Sequence, residues 1–332
     1  FVERLRGDRQ RAGRILDGTS LLSHVHYRMS LVTPAPPAIA KTPEVAARLP
    51  TTSFSASSLD AYLVCPLRFH HSRVLGLREK DEATGEVDRM EIGTVVHEAI
   101  PRFLAPFAGG PAIEPGALDA RRMDGIAVER LRAHFGDHEA GPLRNVAAQV
   151  RERLGAFVTE WLRPLASRTR LAVTGLEQAI EAPWEGRLLS GRIDAVFARD
   201  GRPWIVDWKT GSSTDWILGR HDRLVPGDRS TWQDGLRSTQ LPMYLLLHGA
   251  REGRPPLAAD AAYVMLGRSR LDADCEVPLF ADRDRAAGSW PRIAETLQRL
   301  IGEILEPAVP FEPADDLAAA CPRCPFTTIC GT

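Results

Sequence analysis

The chain contains 332 residues, of which 44% are hydrophobic and 26% are charged, a mixture typical of a globular protein with about two domains or one elaborated domain. The formal net charge is −1, which excludes a strongly basic nucleic-acid coat and an acidic tail but leaves room for a local basic groove. No apolar run reaches the ~18 residues that span a bilayer, and no signal-peptide pattern opens the chain. We therefore expect no membrane partner.

Lysine is rare in this chain. Of the 42 basic residues only three are lysines, at positions 41, 80 and 209, and the remaining 39 are arginines. Because positive charge is nearly always supplied by arginine, each lysine is a candidate for a role that arginine does not fill.

The chain has five cysteines, and three of them lie in its last dozen residues. So few cysteines at this length do not form the disulfide framework of a secreted protein. An intracellular, cytoplasmic protein with a metal or cluster site is the better interpretation.

In chain order, residues 1–50 change from an Arg-rich pattern to a Pro/Ala-rich one, which predicts the tail of a preceding region followed by a linker. The main domain is expected over 51–332, with a helical part over 56–168. Its first helix is capped by a serine and carries Leu59, and Cys65–Pro66 interrupts it. Further helices are predicted over 90–107, 119–168 (two helices), 236–249 and 285–305.

Short segments rich in β-branched and aromatic residues predict strands over 171–182, 187–199, 203–210 and 259–266. The Asp200–Gly201 pair between the second and third segments indicates a hairpin. The sheet core is expected over 171–305, followed by a cysteine-rich tail over 307–332 with little periodicity. The order of elements predicts an α/β or α+β fold with a small central sheet flanked by helices.

The predicted hairpin brings acidic residues together. Alternation along the strand places Asp207 and Lys209 on one face, and the turn folds Asp194 back beside Asp207. Two neighbouring carboxylates repel each other, and a hard divalent cation such as Mg²⁺ relieves that repulsion. A D-x-K pattern alone is commonly a solvated surface pair, but Asp194 at hairpin spacing and the apolar flanks favour a functional site.

Four motifs in this order resemble the PD-(D/E)XK nuclease superfamily, and more specifically the RecB/AddB-type nuclease domain. They are GTVVHE at 93–98, GRID at 191–194, VDWKTG at 206–211 and QLPMY at 240–244. The resemblance runs from about residue 53 to residue 332. It implies a restriction-endonuclease-like core, a small mixed sheet flanked by helices, with helical insertions.

The resemblance also implies roles for individual residues. His97, Asp194, Asp207 and the backbone carbonyl of Trp208 would bind Mg²⁺ or Mn²⁺, and Lys209 would position or activate the attacking water. Gln240 and Tyr244, four residues apart on one helix face, would line the DNA path or support the site. Without the resemblance, His97 and Tyr244 would be interpreted as core residues. Glu177 is a further acidic candidate, although an exposed strand glutamate is the more common case.

The spacing Cys321-x₂-Cys324-x₅-Cys330 suggests metal or cluster ligation, with a distant cysteine or a histidine as the fourth ligand. The resemblance favours Cys65 and implies a [4Fe–4S] cluster that staples the tail to the domain. Zinc is the alternative, because Cys₄ zinc sites are common. Cys275 has no partner at ligand spacing and is interpreted as a free thiol.

The resemblance implies a Mg²⁺-dependent DNA nuclease, an exonuclease on single-stranded ends within a helicase–nuclease complex of DNA repair or recombination. The chain has no P-loop motif, so a helicase subunit or an upstream region would supply the motor. The alternatives are a non-catalytic DNA-binding or scaffold module and a stand-alone exonuclease of the CRISPR-associated type.

Basic side chains are the candidate contacts for DNA phosphates: Arg268 and Arg270, Arg220 and Arg223, and His70, His71 and Arg73. Tryptophans are the candidate contacts for bases: Trp216, Trp232 and Trp208, although Trp208 is more typical of a core residue.

Overall fold

The structure, a computed structural model, describes residues 35–78, 89–136, 141, 143–322 and 324–332. The tail of a preceding region, predicted within residues 1–50, lies largely outside these residues. The described chain begins with helix α1 (Pro43–Arg48) and a short strand β1 (Phe54–Ser55).

Helix α2 (Ala56–Val64) begins and ends where the sequence predicts. Ser55 and Ser58 cap it reciprocally, each hydroxyl accepting a hydrogen bond from the backbone N–H of the other, as in a capping box. Cys65 has an extended backbone and ends the helix, and Pro66 starts α3 (Pro66–Phe69), which continues as a π-helical turn over His70–Val74.

A bundle of helices follows, in the region where the sequence predicts a helix over 90–107 and two helices over 119–168. Its helices are α4 (Arg89–Leu104), α5 (Ala120–Phe135), α6 (Leu143–Ala156) and α7 (Arg163–Arg168), with a π-helical turn over Phe157–Leu162 before the last.

The central sheet is mixed. Its further strands are β2 (Leu171–Trp184), β3 (Arg187–Arg199), β4 (Arg202–Lys209), β5 (Asp260–Met265) and β6 (Glu276–Pro278). Strands β2, β3 and β4 form the predicted antiparallel meander, and β5 is parallel to β4. The long strand β3 pairs with β2 along nearly its whole length, while β1 and β4 pair with its first and second halves. The short strands β1 and β6 were not predicted.

The C-terminal half adds α8 (Trp232–Leu236), α9 (Gln240–Glu252), α10 (Arg283–Leu305), α11 (Leu317–Ala320) and α12 (Thr327–Cys330). The helix predicted from residue 236 begins instead at Gln240, because Arg237 adopts a positive φ of 56° and separates α8 from α9.

Helices cover both faces of the sheet. Side chains of α2, α9 and α10 share one buried cluster with Ile193 and Ile205, and side chains of α4–α7 share a second cluster with Phe197 and Trp208. The predicted fold class, a small mixed sheet flanked by helices, is confirmed, and so is the placement of Trp208 in the core. Within the described ranges, none of the helices combines the length and apolarity that crossing a bilayer requires.

Candidate active site

Two aspartates meet across β3 and β4, as the hairpin predicts. Ala195 pairs with Val206, so the antiparallel register places Asp194 opposite Asp207. Both are buried, and Asp194 Oδ2 accepts a hydrogen bond from the backbone N–H of Trp208 at 3.0 Å. Burial and the charge of Asp207 nevertheless raise the pKa of Asp194 well above its usual range.

A third carboxylate joins them from β2. Leu176 pairs with Ala195, so the register places Glu177 opposite Asp194. Glu177 has a φ of 47°, a conformation that costs a non-glycine residue about 1–3 kcal/mol and that clusters at functional sites. Its side chain is half-buried, and burial raises its pKa. The expectation of an exposed strand glutamate is therefore wrong, because the register of β2 and β3 puts Glu177 on the same face as Asp194.

Helix α4 brings His97 to the same carboxylates. His97 Nδ1 lies 3.3 Å from Asp194 Oδ2. Burial lowers the pKa of His97, which favours the neutral imidazole, the form that ligates metal ions.

Lys209, Gln240 and Tyr244 form a hydrogen-bonded group around Asp207. Lys209 Nζ lies 2.6 Å from Asp207 Oδ2 and donates to Gln240 Oε1 at 2.7 Å. Gln240 Nε2 donates to Asp207 Oδ1 at 2.6 Å and to the Tyr244 hydroxyl at 2.9 Å. Tyr244 is buried, so this arrangement places the two α9 residues behind the carboxylate and the ammonium, where they hold both in position.

A half-buried aspartate that no sequence motif predicted fixes the start of α9. Asp60, on α2, accepts hydrogen bonds from Ser238 Oγ at 2.9 Å and from both the backbone N–H and the hydroxyl of Thr239 at 2.7 Å. Burial raises the pKa of Asp60. The residue that follows Thr239 is Gln240, so Asp60 anchors the turn from which Gln240 reaches Asp207.

The ends of β4 and β5 lie unusually close together next to Lys209. Leu266 donates its backbone N–H to the Lys209 carbonyl at 2.7 Å. A Cβ atom at Gly267 would lie 2.3 Å from the Thr210 carbonyl oxygen, so glycine is the residue that this approach accommodates.

The donor set fits a hard divalent cation, which prefers oxygen ligands. His97, Glu177 and Asp194 each offer one ligand atom, and these atoms lie within 4.8 Å of one another. Glu177 Oε1 is buried and finds no hydrogen-bond partner among the described residues. A cation would satisfy this oxygen and relieve the repulsion among the three carboxylates.

The four cysteines expected to act together converge at a second place, which none of the carboxylates above borders. Cys65, Cys321, Cys324 and Cys330 line one small cavity, and all of them are free thiols. His71 borders the same cavity, with Nε2 3.8 Å from Cys330 Sγ. Cys275 lies elsewhere and is fully buried. Cysteine thiolates ligate zinc ions and iron–sulfur clusters, so these four side chains are the ones that could hold such a group.

Three of the candidate DNA contacts are wrong. His70 and His71 are buried, because the C-terminal tail folds over them and Phe311 and Phe326 pack against their rings. Trp232 is also buried and donates its indole N–H to the Pro226 carbonyl, so its ring offers no face to a base.

Strands of the mixed sheet carry the carboxylates and Lys209, and α4 adds His97 beside them, which is the arrangement that the four sequence motifs predict for a nuclease. Residues 53–331 match the PD-(D/E)XK nuclease superfamily, and the chain belongs to that superfamily.

The chain is also similar to a curated protein that combines helicase and nuclease in its name. Over 230 residues the chain is 26% identical to an ATP-dependent helicase/deoxyribonuclease subunit of Moorella thermoacetica. The match covers 63% of this chain and 18% of that protein, so this chain corresponds to less than a fifth of the relative.

Proposed function

We propose that this chain hydrolyses phosphodiester bonds of DNA with the aid of Mg²⁺ or Mn²⁺. The observation that carries the proposal is the meeting of Asp194, Asp207 and Lys209 at one point of the sheet, in a member of a nuclease superfamily. Without a cation, the buried carboxylates of Asp194 and Asp207 repel each other, and such an arrangement has a cost that a purely structural role does not explain.

Each residue has a part in this proposal. His97, Glu177, Asp194, Asp207 and the Trp208 carbonyl hold the cation, which when bound supplies a Lewis acid and a water of lowered pKa. Lys209 directs its ammonium at the attacking water or the phosphate.

Gln240 and Tyr244 keep Asp207 and Lys209 in register through their hydrogen bonds. Such fixed donors and acceptors need no rearrangement at the moment of reaction, which is how preorganised sites stabilise a transition state.

The test is degradation of labelled DNA in the presence of Mg²⁺ by the wild type, Asp207→Asn and Glu177→Gln. Glu181→Gln is the matched control, because Glu181 lies on β2 like Glu177 but is exposed. We expect cleavage by the wild type and the control only. Equal cleavage by all four would refute the assignment. DNA binding without cleavage by the wild type would favour the alternative, a non-catalytic DNA-binding or scaffold module.

We further propose that the substrate is an end of single-stranded DNA and that a helicase delivers it. The support is the name of the relative, which combines helicase and deoxyribonuclease, and the near-neutral charge of this chain, which suits a delivered strand better than free capture. Linear and circular single strands compared without a helicase test the point. Degradation of the linear strand alone indicates an exonuclease, and rapid unaided turnover would favour the alternative of a stand-alone enzyme.

At the second site, we propose that Cys65, Cys321, Cys324 and Cys330 ligate a [4Fe–4S] cluster that ties the tail to α2, in a protein of the cytoplasm. Elemental analysis and absorption spectra of anaerobically purified protein test it, with Cys330→Ser as the variant and Cys275→Ser as the control. Iron and a visible absorption band that only Cys330→Ser loses are expected. Zinc without iron would decide for the alternative metal.

A further inference from the structure

Trp216 differs from the other tryptophans in its exposure. All seven tryptophans lie in the described part of the chain, and Trp216 is the exposed one, with 53% of its surface accessible. Trp161, Trp204, Trp208 and Trp232 are buried. An indole left in water at this level forgoes the stabilisation that its burial would bring.

The backbone beneath this ring is nevertheless held in place. Ile217 and Leu218 both donate their backbone N–H to the Thr214 carbonyl at 3.0 Å. The Ile217 side chain is inserted into the core at 3% exposure, and Leu218 forms a β-bridge with Arg237. The exposed ring is thus presented by an anchored turn.

The ring also lies beside the candidate active site. Lys209 Nζ is 5.9 Å from the centroid of the Trp216 ring, and the same Nζ is 2.6 Å from Asp207 Oδ2. A nucleotide whose phosphate lies at Lys209 would therefore have its base within reach of the indole. In a duplex, the stacked neighbouring bases cover both faces of that base, whereas a base of an unpaired strand can turn a face toward the indole.

We propose that Trp216 is a stacking platform for a base of single-stranded DNA next to the bond that is cut. The inference rests on the proposed nuclease function and deepens it, because it names the group that distinguishes an unpaired strand from a duplex. Stacking on an aromatic ring is sequence-tolerant, since every base has a π face. The platform therefore favours single strands without reading their sequence.

The test separates base contacts from phosphate contacts. Binding of a fluorescein-labelled oligo-dT is compared with binding of a strand of equal length that lacks its bases, in EDTA so that no cleavage occurs. From the usual size of stacking on an aromatic ring, we expect the wild type to bind oligo-dT about 5- to 100-fold more tightly than the abasic strand. Trp216→Leu should lose most of this ratio, and Trp216→Phe should retain most of it. Val225→Ala, at another exposed apolar residue of the same segment, should leave the ratio unchanged.

The outcomes are distinguishable. A Trp216→Leu variant with the wild-type ratio would overturn the inference. A wild type that binds both strands equally would overturn it as well. A wild type that cleaves no DNA with Mg²⁺ would instead remove the proposed nuclease function on which the inference rests. In the cleavage assay, Trp216→Leu should raise KM for oligo-dT while kcat stays within about twofold, since the ring touches a base and not the reacting atoms.

Discussion

Replacing Asp60 by alanine should weaken both the fold and the active site. The substitution removes the acceptor of three hydrogen bonds from Ser238 and Thr239. The Thr239 hydroxyl retains the Ala56 carbonyl at 3.2 Å, so the backbone N–H of Thr239 and the hydroxyl of Ser238 lose their acceptor. An unsatisfied buried donor costs about 1–3 kcal/mol.

Two such donors would cost about 4 kcal/mol. Removal of the carboxylate offsets part of this cost, because burial disfavours the charged form of Asp60 and raises its pKa. We expect a net loss of about 3 kcal/mol in the free energy of unfolding, which shifts the urea midpoint by about 1 M at an m-value of about 3 kcal/mol/M. Asp60→Asn keeps one acceptor and should fall between the alanine variant and the wild type.

Asp60→Ala and Asp60→Asn should reduce kcat by a larger factor than they change KM. The reason is that Asp60 anchors the start of α9, where Gln240 contacts Asp207. Urea unfolding and steady-state cleavage measure the two effects, and Glu181→Ala serves as the control on an exposed acid. An Asp60→Ala protein whose stability lies within about 0.5 kcal/mol of the wild type, or whose kcat is unchanged, would refute the reasoning.

Three other substitutions have expected outcomes that the contacts define. Lys209→Met should slow cleavage by about 10²- to 10⁴-fold. Its Mn²⁺ affinity, measured by calorimetry, should be equal or tighter, because the ammonium 2.6 Å from Asp207 no longer competes with the cation. Unchanged cleavage would contradict the role of Lys209. Burial lowers the pKa of His221 from 6.5 to about 4, so on acidification the unfolded chain takes up a proton before the folded chain does. Stability should then fall by about 2 kcal/mol between pH 7 and pH 5 from this residue, and His221→Gln should lose less stability than the wild type over that interval. Gly267→Ala should lower the free energy of unfolding by about 1–3 kcal/mol, because its Cβ meets the Thr210 carbonyl. The control Gly288→Ala in α10, with no atom within 4 Å of the new Cβ, should be neutral or stabilising. Equal effects of the two substitutions would show that the strand ends can move apart.

The hairpin of β3 and β4 could be predicted closely because its signals are local. The predicted strand over 187–199 has the bounds of β3, Arg187–Arg199, and the Asp200–Gly201 turn sets the register of Asp194 and Asp207. Alternation and turn chemistry act over a few residues, so they can be read along the chain.

The position of Glu177 opposite Asp194 can be counted from the sequence, although the strand pattern alone does not indicate it. Trp184 pairs with Arg187 across the preceding turn, and counting back along this register reaches Glu177 opposite Asp194. The count was available from the sequence, but the half-burial of the side chain and the positive φ of its backbone are properties of the folded strand.

Long-range packing explains the remaining misses. His70 and His71 carry polar side chains in a basic stretch, and nothing near them predicts that Phe311 and Phe326, more than two hundred residues away, cover their rings. Strands β1 and β6 have two and three residues, too few for a periodic pattern to reveal.

Helix α2 joins the two candidate sites through nine residues. Asp60 reaches from it to the first turn of α9, and Cys65 ends it at the thiol cavity. One short helix therefore contributes a residue to the surroundings of each site. Any free energy that links them acts reciprocally: the factor by which filling the thiol cavity tightens cation binding at the carboxylates is the factor by which a bound cation tightens retention of the group in the cavity.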